Sequence, residues 1–266
     1  MSAATVTRPD WSPRDGSAEP PRRPSLLRLT GLEMRKMVDT RAGFWLLLII
    51  GLASVAVVAI QLIWGGDDGG NLKDYFQFAL IPEGILLPVL GILTVTSEWS
   101  QRTALTTFTL VPERHRIVVA KFAAATVFAV MSVIISLLVS VVGTALSGAL
   151  DRGEASWSLP MALLSQAVLL QVLNVVMGVA FGMLLMNTPV AIVLFFMLPT
   201  VWSILTDLID AVRDAAEWLN LSGAMSPLGD GSTSGDQWAK LATSALVWIV
   251  LPMVLGTLRL IRREVK

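Results

Sequence analysis

A chain of 266 residues that is 54% hydrophobic and only 15% charged, with mean hydropathy +0.69, carries too little polar side chain to clothe a soluble domain of that size. Its formal net charge is zero and it has no cysteine, which excludes a disulfide framework and thiolate metal ligation. Several apolar runs approach or exceed the roughly 20 residues that cross a bilayer core. The expected fold class is all-α, a polytopic membrane protein with six transmembrane helices.

Residues 1–24 are polar and rich in proline and arginine, with no apolar core of the kind a signal peptide needs. They are expected to form a disordered cytoplasmic tail, and residues 25–266 the six-span domain. The stretch "SLLRLTGLEMRKMVDTR" follows. It reads as an amphipathic helix capped by the Ser25 hydroxyl. Leu26, Leu27, Met34, Met37 and Val38 project to one side, and Arg28, Arg35, Lys36 and Asp39 to the other. Such a helix is expected to lie on the inner leaflet and feed the chain into the first span.

The spans are expected at about 43–64, 78–96, 117–150, 159–186, 190–206 and 241–258. The second contains Pro82 and Pro88; the third is longer than a bilayer requires; "MNTP" turns the fourth into the fifth. Between the fifth and sixth spans, residues 207–220 pattern as an acidic amphipathic helix, and "SPLGDGSTSGD" reads as a loop returning to the membrane. With the N-terminus inside, 16 of the 20 lysines and arginines fall on the cytoplasmic side. That asymmetry predicts both termini in the cytoplasm. The connection between the second and third spans is then the one substantial cytoplasmic loop.

That connection reads "TSEWSQRTALTTFTLVPERHRIVVAKF". From Thr103 to Val111 the apolar residues Ala104, Leu105, Phe108 and Val111 share an arc at helical spacing. Thr103, Thr106, Thr107 and Thr109 occupy the rest, with Leu110 among them. Pro112 ends this short helix and starts the next, because it cannot donate to a preceding turn. Around it stand Glu98, Arg102, Glu113, Arg114, Arg116 and Lys121. Positive-inside anchoring alone accounts for part of this basic set.

The spacing of Glu98, Thr103, Pro112, Arg116 and Ala120–Lys121 resembles the permease subunits of type-two ATP-binding cassette (ABC) transporters of bacteria. Arg102 stands where that family has glycine. "GVAFGMLLMNTPVA" is similar to the family's glycine-rich fourth span, with Met186 where a basic residue is common. The resemblance implies that residues 103–111 form a coupling helix docking on a separate ATPase subunit, which holds ATP and magnesium. It also implies a second permease protomer, a homodimer, in the bacterial plasma membrane, and a cycle of alternating access that exports substrate. The coupling set carried over is Glu98, Arg102, Thr103, Leu105, Thr107, Phe108, Leu110, Pro112, Arg116 and Lys121. A neutral threonine face packs into a protein groove without burying unpaired charge.

Nothing in the chain matches a Walker A loop, H-E-x-x-H or G-x-S-x-G, so this chain is not expected to be an enzyme, to carry a cofactor or metal, or to bind nucleic acid. His115 stands alone in a basic turn. Intramembrane polar residues are functional candidates by default. Glu83 either lines a substrate path or sits at the interface; Gln166, Gln171 and Asn174 are candidates for the path or a dimer seam, or for helix–helix glue. Gly143, Gly148, Gly178 and Gly182 read as close-packing points. The apolar spans favour a hydrophobic or amphipathic cargo. The competing reading is a non-transporting membrane scaffold or sensor subunit.

Overall fold

The computed structural model describes residues 24–65, 70–101, 113–150, 156–208 and 217–262. Every regular element among them is helical: α1 (Leu26–Asp39), α2 (Arg41–Trp64), α3 (Leu72–Ser100), α4 (Arg114–Ala149), α5 (Met161–Leu185), α6 (Thr188–Leu208), α7 (Leu221–Asp230), α8 (Gly235–Ala245) and α9 (Leu251–Arg262). A π-helical turn, Leu246–Val250, joins α8 to α9. Six helical stretches are long and apolar enough to cross a membrane: α2, α3, α4, α5, α6 and the continuous run Gly235–Arg262. The architecture is that of a multi-pass helical membrane protein.

Burial ranks the spans. The apolar window of α3 is 61% buried, against 17% in α2 and 11% in α6. Helices α3 and α5 form the centre, with α2 and α4 packed on one side of α3 and α9 against α5. Glycine allows the central pair to approach closely. A Cβ on Gly91 would sit 2.6 Å from the Val175 carbonyl oxygen, and one on Gly178 would fall on the Pro88 carbonyl. With no hydrophobic drive between helices in lipid, such backbone proximity supplies packing energy. Gly143 packs against Val58 and Tyr75, whereas Gly148 is exposed.

Helix α3 is continuous through Pro82 and Pro88. A proline inside a helix removes a donor, and around Pro82 three neighbouring helices bring side-chain donors to the α3 backbone. Ser54 of α2 and Ser136 of α4 donate to the Ala79 carbonyl at 3.0 and 3.2 Å; Gln171 Nε2 of α5 donates to Leu80 at 3.3 Å.

Several boundaries differ from expectation. Helix α3 begins at Leu72, six residues before the expected start, and the last span begins at Gly235. In both cases the helix continues into polar sequence beyond the apolar run. Gln237 starts the last span by accepting the Ser234 N–H at 2.6 Å. Part of the expected returning loop is helical. Asn220 caps α7 by accepting the Gly223 N–H at 3.0 Å, and Leu221, Ala224, Met225 and Leu228 bury one face. Gly231, at φ 69°, then closes α7 in the left-handed region. Of the expected helix 207–220, residues 209–216 lie outside the described residues. Glu217, at its far end, pairs with Lys240 at 2.9 Å.

Thr40 separates α1 from the first span. Its backbone N–H bonds Lys36 O, and its hydroxyl accepts the Gly43 N–H at 3.2 Å to begin α2. Ser25 caps α1 by accepting the Arg28 N–H at 3.2 Å.

Candidate functional site

One end of the bundle gathers α1, the C-terminal turns of α3 and α9, and the N-terminal turns of α4. It is the basic end, and it holds a buried ionic cluster. Lys121, 1% exposed, is its centre. Its ammonium donates to Glu33 Oε2 at 2.7 Å and to the Thr94 carbonyl at 2.9 Å, and lies 3.1 Å from Glu98 Oε1. Lys36 donates to Glu33 Oε1 at 2.7 Å and to Glu98 Oε1 at 3.0 Å. Two carboxylates and two ammonium groups therefore neutralise one another, with Lys121 hydrogen-bonded to Glu33 and Thr94 and ion-paired to Glu98.

The sequence builds this cluster from three helices. In α1, Leu29, Glu33 and Met37 stack at i, i+4 and i+8 and turn into the protein. This inward stripe shares Met37 with the expected apolar side and adds Leu29 and Glu33; Leu27 is 87% exposed, and Lys36 leans inward from the charged side. Helix α3 supplies Glu98 in its last turn, and α4 supplies Lys121 two turns from its start.

Burial by itself would raise the Glu33 carboxyl, but the Lys121 and Lys36 charges and hydrogen bonds outweigh it and hold the group below its ordinary 4.5. Burial likewise works to lower Lys36, and Glu33 and Glu98 overcome it, holding the ammonium above 10.5. The signs follow by linkage. Stability from the depressed Glu33 is present above about pH 4.5 and is lost as pH falls through its folded value. Stability from the raised Lys36 is present below about pH 10.5 and is lost as pH rises through its folded value. Thermal unfolding across pH is therefore expected to show a plateau with an acid limb, and Glu33→Gln to shrink that limb. An acid limb unchanged in the variant would refute this.

Around the cluster, arginines staple the same end. Arg114 donates to the Ile261 carbonyl at 3.0 Å and to the Leu260 carbonyl at 3.3 Å, in the last described turn of α9. Arg116 donates to the Pro24 carbonyl at 2.7 Å and lies 3.5 Å from Glu113. Arg259 donates to the Leu184 carbonyl, and the Thr188 hydroxyl donates to Thr96 at 2.8 Å. His115 is exposed.

Of the expected coupling set, the structure brings Glu98 and Lys121 into contact and places Arg116 on the N-terminal segment. Arg102, Thr103, Leu105, Thr107, Phe108, Leu110 and Pro112 lie outside the described residues. The intramembrane candidates do not assemble into one site. Glu83 is 1% exposed and lies within α3. Gln171 is fully buried within the protomer, with Nε2 on Leu80 and Oε1 without a partner among the described residues. Gln166 accepts from Thr233 at 2.9 Å at the end opposite the cluster, and Asn174 is half-buried.

Sequence reasoning missed Glu33, Lys36 and the Thr94 carbonyl. The available signal was that Glu98 and Lys121 sit at the ends of apolar spans, where each needs a counter-charge. Glu33 is the one glutamate of the entry helix. No family model matches the chain, and no curated protein searched matches it.

Proposed function

We propose that this chain is the membrane-spanning permease subunit of an ABC-type exporter, driven by a separate ATPase subunit that carries ATP and magnesium. The observation that carries the reading is the Glu33–Lys36–Glu98–Lys121 cluster. Glu98 and Lys121, two of the residues through which the chain resembles type-two permeases, flank segment 102–112 and lie 3.1 Å apart. A force applied to that segment reaches α3 and α4 at one buried point, and α1 through Glu33.

The basic end faces the cytoplasm by the positive-inside asymmetry, in the plasma membrane of a bacterium. Helix α1 is then the entry helix on the inner leaflet, and residues 103–111 the coupling helix. Two protomers enclose the path taken by a hydrophobic or amphipathic cargo.

The test is reconstitution of the purified chain with the ATPase subunit encoded beside it. A complex with ATP hydrolysis raised above that of the ATPase alone is expected. Leu105→Asp with Phe108→Asp is expected to lower capture of the ATPase about tenfold, a loss of about 1.4 kcal/mol, with membrane insertion unchanged. Absence of any complex with the unaltered chain would sink the reading.

A further inference from the structure

Away from the ionic cluster, Glu83 is the one charged residue well inside α3. Its surroundings carry no counter-charge. Helix α5 has no charged residue, α2 has none after Arg41, and α4 has none after Lys121. Lys121 itself is committed to Glu33 and Glu98, and lies about 16 Å along α4 from Ser132 at 1.5 Å per residue. On α3 the nearest charges in sequence are Asp74 and Glu98, each more than two turns away. Among the described residues no basic side chain pairs with Glu83.

Its partners are hydroxyls. Ser132 Oγ lies 2.9 Å from Glu83 Oε2 and 2.9 Å from the Ala129 carbonyl oxygen. Ser136 Oγ touches Glu83 Oε1 and lies 3.2 Å from the Ala79 carbonyl oxygen. All of these groups are buried.

Counting hydrogens decides the state of the group. Each serine hydroxyl has one hydrogen, and an ionised carboxylate only accepts. With Glu83 ionised, four acceptor contacts compete for two hydrogens, so two oxygen pairs face each other lone pair to lone pair. One proton on Glu83 Oε1 reduces the two such pairs to one, Ser132 Oγ with the Ala129 carbonyl. The acid O–H donates to Ser136 Oγ, Ser136 donates to Ala79, and Ser132 donates to Glu83 Oε2. The same proton removes an isolated negative charge from the membrane interior, where it is costly.

We infer that Glu83, with Ser132 and Ser136, is a buried proton-binding site that holds the carboxyl as a neutral acid linking α3 to α4. The bound species is one proton taken from solution, and the carboxylate becomes a carboxylic acid. A conformation that parts α3 from α4 and admits water releases it. The site stands on its own geometry and does not depend on the transport reading.

The test is infrared spectroscopy of the purified full chain in lipid nanodiscs at neutral pH. The carbonyl stretch of a protonated carboxylic acid is expected, lost in Glu83→Gln and kept in Glu98→Gln. Glu83→Gln is expected to fold, since its amide donates to Ser136 and accepts from Ser132 as the acid does. Should that variant fail to fold, Ser136→Ala decides. The band then shifts to higher frequency as the acid loses its acceptor, and an unshifted band overturns the assignment. Absence of the band in the unaltered chain overturns the inference. So does a sodium-dependent rise in melting temperature that Glu83→Gln abolishes, which would make the site one for a metal cation.

Discussion

Lys121→Met is expected to destabilise the protein by about 3–5 kcal/mol, the range for removing one partner of a buried ion pair. The substitution keeps the side-chain volume but leaves Glu33 and Glu98, 5% and 8% exposed, with Lys36 alone. The Thr94 carbonyl also loses its donor. Lys36→Met is expected to be milder, about 1 kcal/mol or less, because its side chain is 45% exposed and Lys121 still serves both carboxylates. Glu33→Gln combined with Lys121→Met should recover part of the loss, because Lys36 then has only Glu98 to neutralise. Melting curves in nanodiscs of the unaltered chain, Lys121→Met, Lys36→Met, Glu33→Gln and the Glu33→Gln/Lys121→Met pair check these outcomes and close the Glu33–Lys121 cycle. Equal effects of the two lysine substitutions would show that the buried cluster does not hold the basic end.

Gly178→Ala should lower stability by about 1–3 kcal/mol, the range for overpacking a tight interior. The added methyl falls on the Pro88 carbonyl, and backbone cannot yield as a flexible side chain does. Gly182→Ala meets Ile92 and Val95 at 3.0–3.4 Å, so a smaller loss is expected there. Gly84→Ala, on α3 with nothing within 4 Å, is the control, and is expected to be neutral or slightly stabilising. If Gly178→Ala and Gly84→Ala melt together, close approach of α3 and α5 is not what sets the core.

The six apolar stretches were readable because each has the length and composition a bilayer demands. Their ends were not. Lys73 and Asp74 look like loop residues, yet α3 includes both, because a helix extends past the membrane as long as its backbone bonds are met. The ambiguity at Glu83 was of the same kind: placing the start of α3 at Leu72 puts the carboxyl inside the helix. The expected seam role of Gln171 did not anticipate that its amide would donate to the Leu80 carbonyl inside the protomer. The ionic cluster was half legible. Glu98 and Lys121 stood out by position, but neither expected face of α1 included Glu33, which turns inward beside Met37. Its partner lies 88 residues away, a non-local pairing that no local pattern contains.

That separation has a consequence for how the protein is made. Translation delivers Glu33 and Lys36 first, then Glu98, and Lys121 only after two spans have already entered the membrane. At about 5–20 residues per second, Glu33 waits roughly 4–18 seconds for its buried counter-charge. Until α4 arrives, the basic end cannot close, and α1 lacks its main packing partner. Closure of the basic end therefore waits for the third span, and a chain ending before Lys121 leaves Glu33 and Glu98 with Lys36 alone.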